Sequence, residues 1–343
     1  MDSEQYGVHR VVGEDGTLPQ RAQRLDPSLP IRDSELLVAV AHLNIDAASF
    51  RQMKNEAAGD VQRIAAAIQH TVLTRGKMHN PVTGSGGMLV GRVQAIGRRH
   101  PDYGKLKVGD PIASLVSLTL TPLAIEEIVA IHLDSDRIDI RGHAILFATG
   151  LYARLPEDLP WTVSLAALDV CGAPALVARH VRPGMKVLVI GAGKSGALCL
   201  AQARRSLAGE GQLIGLDISA EALSVLKKIG ICDLVVELDA ARPMEMLRRV
   251  SDLTGGTLCD LAINCASVPN TETGTLLSLR EGGTAIFFSM ATSFTAAALG
   301  AEGLGKDVTL LIGNGYVKGH AEHTLELLRS EPGLRALFEQ RYR

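Results

Sequence analysis

Val187-Leu188-Val189-Ile190-Gly191-Ala192-Gly193-Lys194-Ser195-Gly196-Ala197 is the stretch that decides the fold. An apolar run passes straight into G-x-G-x-x-G and then into a helical segment, the order that a dinucleotide-binding strand, turn and helix require. Gly191 permits the tight turn, Gly193 lets backbone approach a pyrophosphate, and Gly196 lets the helix pack closely on the strand. Lys194 and Ser195 lie in the turn into the helix, whose free N–H groups and positive dipole end face the phosphates.

A second apolar run ends in Gly215-Leu216-Asp217-Ile218, which puts Asp217 about 20 residues beyond the glycines, as the dinucleotide fingerprint expects. Asp217, with Ile218 beside it, is expected at the adenosine ribose, accepting its hydroxyls and repelling a 2′-phosphate. No Arg or Lys at 218–220 would neutralise such a phosphate, so NAD is favoured over NADP. The bland alternative for the glycines is a strand-to-helix turn that holds nothing.

Outward from the motif, apolar runs at Val187–Ile190, Gln212–Leu216, Leu234–Glu237, Leu261–Asn264 and Thr284–Phe288 alternate with helical stretches near Gly196–Leu207, Ala220–Ile229, Pro243–Ser251 and Thr273–Leu279. This β-α-β-α alternation predicts a doubly wound parallel sheet covered on both faces. Cys265 and Ser289 follow two of these strands at their carboxyl ends, where ligands bind in such sheets, and are expected to touch the cofactor. Before residue 150 the texture differs. Short runs at Glu35–Val40, Leu89–Ile96 and Pro111–Leu115, separated by Gly, Pro and Asp, favour β-structure. Residues 50–80 read as a helical insertion, because Ile64, Ala65, Ile68, Val72 and Leu73 recur at helical spacing.

The chain has 343 residues, 46% hydrophobic and 21% charged, which suits two globular α/β domains better than one. A net charge of -2 with both signs mixed gives no electrostatic reason for a nucleic-acid or membrane partner, so a small-molecule substrate is expected. The first twenty residues are too polar for a signal or transit peptide, and a cytoplasmic location is expected. The five cysteines are odd in number and lack any C-x-x-C pair, so they read as free thiols and not as a structural zinc lobe.

Gly91-Arg92-Val93-Gln94-Ala95-Ile96-Gly97, then Leu106-Lys107-Val108-Gly109-Asp110-Pro111-Ile112-Ala113, resembles the G-x-V-x-x-V-G…V-G-D-x-V stretch of medium-chain dehydrogenases and reductases. Cys171-Gly172, Val181-Arg182-Pro183-Gly184 and the glycine motif follow in that family's order. The resemblance implies a GroES-like β-rich catalytic domain over residues 1–155 and 313–343, with Gly313-Asn314-Gly315 marking the return, and a Rossmann domain over 156–312. It also implies an active site between the domains and a homodimer. The family's zinc ligands fall on about Asn44, Gly87 and Met88, which cannot ligate zinc. Cys171 alone is too little for a catalytic zinc, which takes about three protein ligands, so metal-free hydride transfer is expected.

Three further stretches narrow the resemblance: Tyr6-Gly7-Val8-His9-Arg10-Val11, Leu43-Asn44-Ile45-Asp46-Ala47-Ala48-Ser49-Phe50 and Arg75-Gly76-Lys77-Met78-His79-Asn80-Pro81-Val82-Thr83-Gly84-Ser85-Gly86-Gly87-Met88-Leu89. They are similar to the family of L-erythro-3,5-diaminohexanoate dehydrogenases. This implies NAD-dependent oxidative deamination of that diamino acid to 5-amino-3-oxohexanoate and ammonia, in lysine fermentation. Such chemistry needs a base to free the amine lone pair. Asp46 is the first candidate, with helix capping an equal alternative. Lys77 is a second catalytic candidate. Arg75 and Lys77 are expected near the substrate carboxylate, Thr83 and Ser85 as hydroxyl donors, and Glu127, or Glu126, for the second ammonium. Two rivals stay open: a zinc-free quinone or enoyl reductase using NAD(P)H, which leaves Asp217 unexplained, and a non-catalytic NAD-binding redox sensor.

Overall fold

Two six-stranded sheets organise the computed structural model, which describes residues 3–289 and 291–343. They belong to separate units, Met1–Glu157 and Asp158–Arg343.

In the first unit β1 (Leu36–Asn44), β2 (Met88–Ile96), β3 (Pro111–Ser114), β4 (Leu123–His132), β5 (Arg137–Leu146) and β6 (Tyr152–Arg154) form an antiparallel sheet of order β4-β5-β1-β2-β3-β6. Its register sets Asn44 directly opposite Met88. Between β1 and β2 the chain inserts α1 (Ala47–Glu56) and α2 (Val61–Arg75). Asp60 caps α2, and Ile64, Ile68 and Val72 form its buried stripe, one residue per turn on the face toward β4. These residues join Leu36, Val38, Val40 and Leu43 of β1 in one apolar cluster. Each such side chain contributes about 1.5–3 kcal/mol on burial.

A buried ion cluster fastens the N-terminal segment to this sheet. Arg10 forks onto Glu35, Nε to Oε1 at 2.8 Å and Nη2 to Oε2 at 2.7 Å. His9 Nε2 lies 2.6 Å from Oε1, and the Arg32 N–H donates to Oε2 at 2.7 Å. Burial alone would push the Glu35 carboxyl up, but the hydrogen bonds from Arg10, His9 and the Arg32 amide outweigh it and hold the group down at about 2.

The second unit opens with α3 (Trp161–Leu168) and α4 (Gly172–His180). Then β7 (Lys186–Ile190), α5 (Lys194–Leu207), β8 (Gln212–Asp217), α6 (Ala220–Lys228), β9 (Leu234–Glu237), α7 (Pro243–Thr254), β10 (Cys259–Asn264), α8 (Glu272–Leu277), β11 (Leu279–Phe287), α9 (Phe294–Leu304) and β12 (Thr309–Ile312) follow. The strands are all parallel, in the order β12-β11-β10-β7-β8-β9. The order reverses between β7 and β10, the switch point at which such sheets bind ligands. Among the described residues no single helix is long and apolar enough to cross a membrane. Only α3 with α4, bent by 52°, passes that test as a pair, and both are largely buried in the unit.

The C-terminal segment departs from the sequence expectation. Residues 313–343 do not return to the first unit. They form α10 (His320–Ser330) and α11 (Pro332–Tyr342), which pack on α3, α4 and α5. The cause is an apolar face, with Leu325, Leu328, Leu334 and Phe338 buried, and a hydrogen bond from the Thr324 hydroxyl to the Cys171 carbonyl at 3.1 Å.

Candidate active site

The glycine motif does in three dimensions what its spacing requires. Gly191 turns the chain at φ +94°, and a Cβ on Gly196 would lie 1.7 Å from the Gly191 carbonyl oxygen, so only glycine lets α5 seat this close to β7. Gly193 has open space where a Cβ would stand, the room a pyrophosphate needs. No side chain caps the start of α5 among the described residues, which leaves its first N–H groups to a ligand. The residues present therefore fit a dinucleotide.

Asp217 ends β8 beside this turn. Its Oδ2 accepts from the Ala192 N–H at 2.6 Å and its Oδ1 from the Ser219 N–H at 2.8 Å. Each oxygen keeps lone-pair capacity for a ribose hydroxyl. Ile218 next to it is exposed. The Ser195 hydroxyl donates to Cys265 Sγ at 3.5 Å, and a Gly191 Cβ would come 3.0 Å from the Cys265 carbonyl carbon. Thus Gly191, Gly193, Ser195, Gly196, Asp217 and Cys265 form one locus at the carboxyl ends of β7, β8 and β10. Lys194 belongs to the same turn, but its ammonium is paired with Asp169 and stands 5.9 Å from the centroid of the Tyr342 ring. Ser289, just past β11, is buried and accepts from the Ala291 N–H at 3.1 Å, so its hydroxyl oxygen shapes a turn.

In the first unit the sequence residues divide. β1 ends at Asn44, and Asp46 then caps α1, its Oδ1 accepting from the Ser49 N–H at 3.0 Å. Its Oδ2 is buried and has no hydrogen-bond partner. A buried carboxylate oxygen without a partner is costly unless something else approaches it. The loop from Lys77 to Gly87 is pinned over the start of α1. Asn80 Nδ2 donates to Gln52 Oε1 at 2.8 Å, Asn80 Oδ1 accepts from Val82 N–H at 2.8 Å, and the Thr83 and Ser49 hydroxyls are hydrogen-bonded. The Ser85 N–H donates to Thr83 Oγ1 at 3.3 Å. At Gly87 a Cβ would sit 2.0 Å from the Asn44 carbonyl oxygen, so the loop touches the end of β1 itself. Ser49 therefore links Asp46 to Thr83, and Thr83 to the Ser85 backbone, in one hydrogen-bonded chain.

Lys77 and Glu127 do not join them. Lys77 is fully buried, and its ammonium donates to the carbonyls of Pro19 at 2.8 Å and Gln20 at 3.2 Å, an internal clamp that turns it away from any substrate. Burial pulls its pKa down to about 8, helped by the Arg75 charge and opposed by Glu14. Glu127 is exposed on the edge strand β4 and paired with Arg141, and Glu126 beside it is exposed as well. Arg75 is half-buried in the last turn of α2, its carbonyl accepting from the Leu25 N–H at 2.8 Å. His79 has a buried, unpartnered Nδ1, and burial with the Lys77 and Arg75 charges lowers its pKa.

Sequence reasoning missed the hubs of both loci. Asn264 ends β10 fully buried, donating to the hydroxyls of Thr271 at 2.9 Å and Thr275 at 3.0 Å while accepting from the Ala266 N–H at 3.1 Å. A polar residue closing the apolar run Leu261-Ala262-Ile263 was the available signal. Asn80, ahead of Pro81, is the residue type that organises turns through its own side chain. The family's metal positions are also now located: Asn44 faces Met88 across the strand pair, and no group of three or more His, Cys, Asp or Glu able to hold a metal occurs among the described residues.

Residues 9–156 match the sequence profile of the L-erythro-3,5-diaminohexanoate dehydrogenase N-terminal domain. Over 338 residues, 98% of either chain, the protein is 50% identical to an L-erythro-3,5-diaminohexanoate dehydrogenase of Acetoanaerobium sticklandii and 48% identical to that of Fusobacterium nucleatum subsp. nucleatum. Among solved structures it is similar to mycobacterial Rv1454c complexed with NADPH, at TM-score 0.59 and 19% identity over 96% of this chain and 95% of that one. It is likewise similar to alcohol dehydrogenase TADH from Thermus sp. ATN1, at TM-score 0.54 and 20% identity over 92% and 88%. The structural likenesses carry the fold alone, a GroES-like domain with a Rossmann domain. Full-length identity carries more: the chain belongs to the L-erythro-3,5-diaminohexanoate dehydrogenase family, built on the medium-chain dehydrogenase scaffold.

Proposed function

We propose that this dehydrogenase oxidatively deaminates L-erythro-3,5-diaminohexanoate to 5-amino-3-oxohexanoate and ammonia, with NAD as the oxidant. The observation that carries this reading is the full-length likeness to two enzymes named for that substrate. The cofactor is a nicotinamide dinucleotide, and the Asp217 carboxylate at the ribose position, with no cation at 218–220, supports NAD over NADP. Held by the glycine turn and Asp217, the nicotinamide would supply the acceptor for the hydride of the amine-bearing carbon.

Asp46 Oδ2 takes the proton that frees the substrate amine lone pair and releases it to solvent, and the restored carboxylate then supports the positive charge that develops at nitrogen as hydride leaves. The same carboxylate takes a proton from the water that adds to the iminium carbon and passes it to the nitrogen, so that the C–N bond breaks as the C=O bond forms and ammonia leaves. Thr83 and Ser85 orient the substrate, and Arg75 neutralises its carboxylate. With Lys77 clamped and Glu127 at the solvent edge, the second ammonium is left to backbone carbonyls of the 77–87 loop. A cytoplasmic homodimer acting in lysine degradation completes the reading.

The test follows NADH formation by absorbance with purified protein, NAD and L-erythro-3,5-diaminohexanoate, beside NADP and simple alcohols. Amine-dependent turnover that accelerates as pH rises above neutrality is expected, because the reacting amine must be neutral. NADH binding without turnover would favour a redox sensor, and NADPH-driven quinone or enoyl reduction would favour the reductase.

A further inference from the structure

Two of the five free thiols meet inside the cofactor cradle. Cys199 on α5 is fully buried and Cys265, just past β10, is half-buried, with their sulfurs 3.8 Å apart. Cys265 also accepts from the Ser195 hydroxyl of the glycine motif at 3.5 Å. Behind it the backbone is tight: a Gly191 Cβ would lie 3.0 Å from both Ala266 N and the Cys265 carbonyl carbon.

We propose that Cys199 and Cys265 form a peroxide-reactive dithiol that closes to a disulfide when the cradle is empty and is shielded when a dinucleotide fills it. The shielding half rests on the cofactor reading above. A disulfide needs its sulfurs about 2.05 Å apart, so the gap must shrink by about 1.8 Å, within reach of side-chain rotation and a small shift after β10. Cys265 is the attacking thiol, because its residue is half-buried while Cys199 is fully buried. Its hydrogen bonds with Cys199 and Ser195 favour its thiolate, while burial pushes the Cys199 thiol up.

The steps balance with hydrogen peroxide as oxidant. The Cys265 thiolate attacks one peroxide oxygen, an S–O bond forms, the O–O bond breaks, and the other oxygen leaves as water after taking a proton. The sulfenic acid is then attacked by Cys199 sulfur: S–S forms, S–O breaks, and the departing oxygen takes the Cys199 proton and leaves as a second water. Two thiols are oxidised and one peroxide is reduced. Closure draws Cys265 toward Cys199, one turn further along α5 than Ser195, and breaks its hydrogen bond with the Ser195 hydroxyl, which disturbs the turn on which Gly191 packs and weakens dinucleotide binding.

The experiment doses the reduced full-length protein with hydrogen peroxide, with and without NAD, and reads free thiols, intact mass and linked peptides. Without NAD the five thiols fall to three, the mass drops by about 2 Da for the two hydrogens lost, and one peptide joins Cys199 to Cys265. With NAD at about ten times its Kd the reaction slows about tenfold. Dithiothreitol restores the thiols and NADH affinity together. In Cys199→Ala the crosslink vanishes and dimedone traps sulfenic acid at Cys265. Five surviving thiols, a crosslink mapped elsewhere, or NADH affinity unchanged by the disulfide would each overturn the proposal. NADH binding to the reduced protein is followed separately by fluorescence. If NADH binds and NAD gives no protection, shielding is wrong and the cofactor reading stands; if NADH does not bind, the cofactor reading falls, and the dithiol is judged on the thiol count without nucleotide.

Discussion

One oxygen of the Asp46 carboxylate caps α1 and the other is buried without a partner, so its two roles separate by substitution. Asparagine caps a helix about as well as aspartate but is no base. Asp46→Asn should therefore keep the melting temperature and lose about 10²- to 10⁴-fold in kcat, the usual worth of a positioned acid or base. Asp46→Ala should in addition cost about 1 kcal/mol of stability through the lost cap. Asp46→Asn at full activity, measured as NADH formation, would leave only the cap. Lys77 makes the opposite case, a candidate that the fold withdraws from chemistry. Its pKa falls from 10.5 to about 8, so between those values the unfolded chain binds more protons and stability should rise with pH. Lys77→Met should abolish that rise in urea titrations at pH 7 and pH 10 and leave KM unchanged. A raised KM would return Lys77 to the substrate. Nothing in the sequence distinguished a lysine aimed at ligand from one aimed at the Pro19 and Gln20 carbonyls, because those acceptors lie far along the chain and are backbone atoms.

Elements were legible in proportion to how completely they are buried. The strands β7, β8 and β10 are covered on both faces and read as continuous apolar runs within a residue or two of their ends. By contrast β4 and β5 were not singled out. Register shifts between Ile125 and Glu127, and between Ile128 and Ala130, break the alternation of period two that marks a half-buried strand. Residues 313–343 were given to the first unit by the family resemblance, and no pattern in the chain said which surface their helices would pack on; they pack on α3, α4 and α5. The N-terminal segment, too, is held by something pattern cannot show, the Glu35 cluster. Its carboxyl sits at about 2 in the folded protein against 4.5 for the free group. The stability it supplies is complete above about pH 4.5 and drains away as pH falls toward 2. Glu35→Gln leaves Arg10 buried with a weakened partner and should cost about 3 kcal/mol near neutrality. Its urea midpoint should also fall less steeply than wild type below pH 4.5, and parallel acid curves would show that the cluster does not couple to folding.

At the scale of the molecule the Rossmann sheet has an unfinished edge. β12 pairs with β11 on one side and with no strand on the other among the described residues. Ile312 on it is 61% exposed. α9, whose Ala297 shares a core cluster with Leu310 of β12, leaves Phe294 exposed and Leu299 62% exposed. An apolar open edge invites pairing, and a monomer would be expected to blunt it with charge, which β12 lacks. A second copy related by a two-fold axis would cover both edges with one self-complementary patch. Sedimentation should accordingly give twice the 36.4 kDa chain mass. The double variant Leu299→Asp with Ile312→Lys sets like charges near their own symmetry mates and removes the apolar contact at once, so it should sediment as a monomer while each chain keeps its far-ultraviolet spectrum and NADH binding. A wild-type monomer would refute the edge as a dimer interface, and a dimer that survives both charges would move the interface to another face.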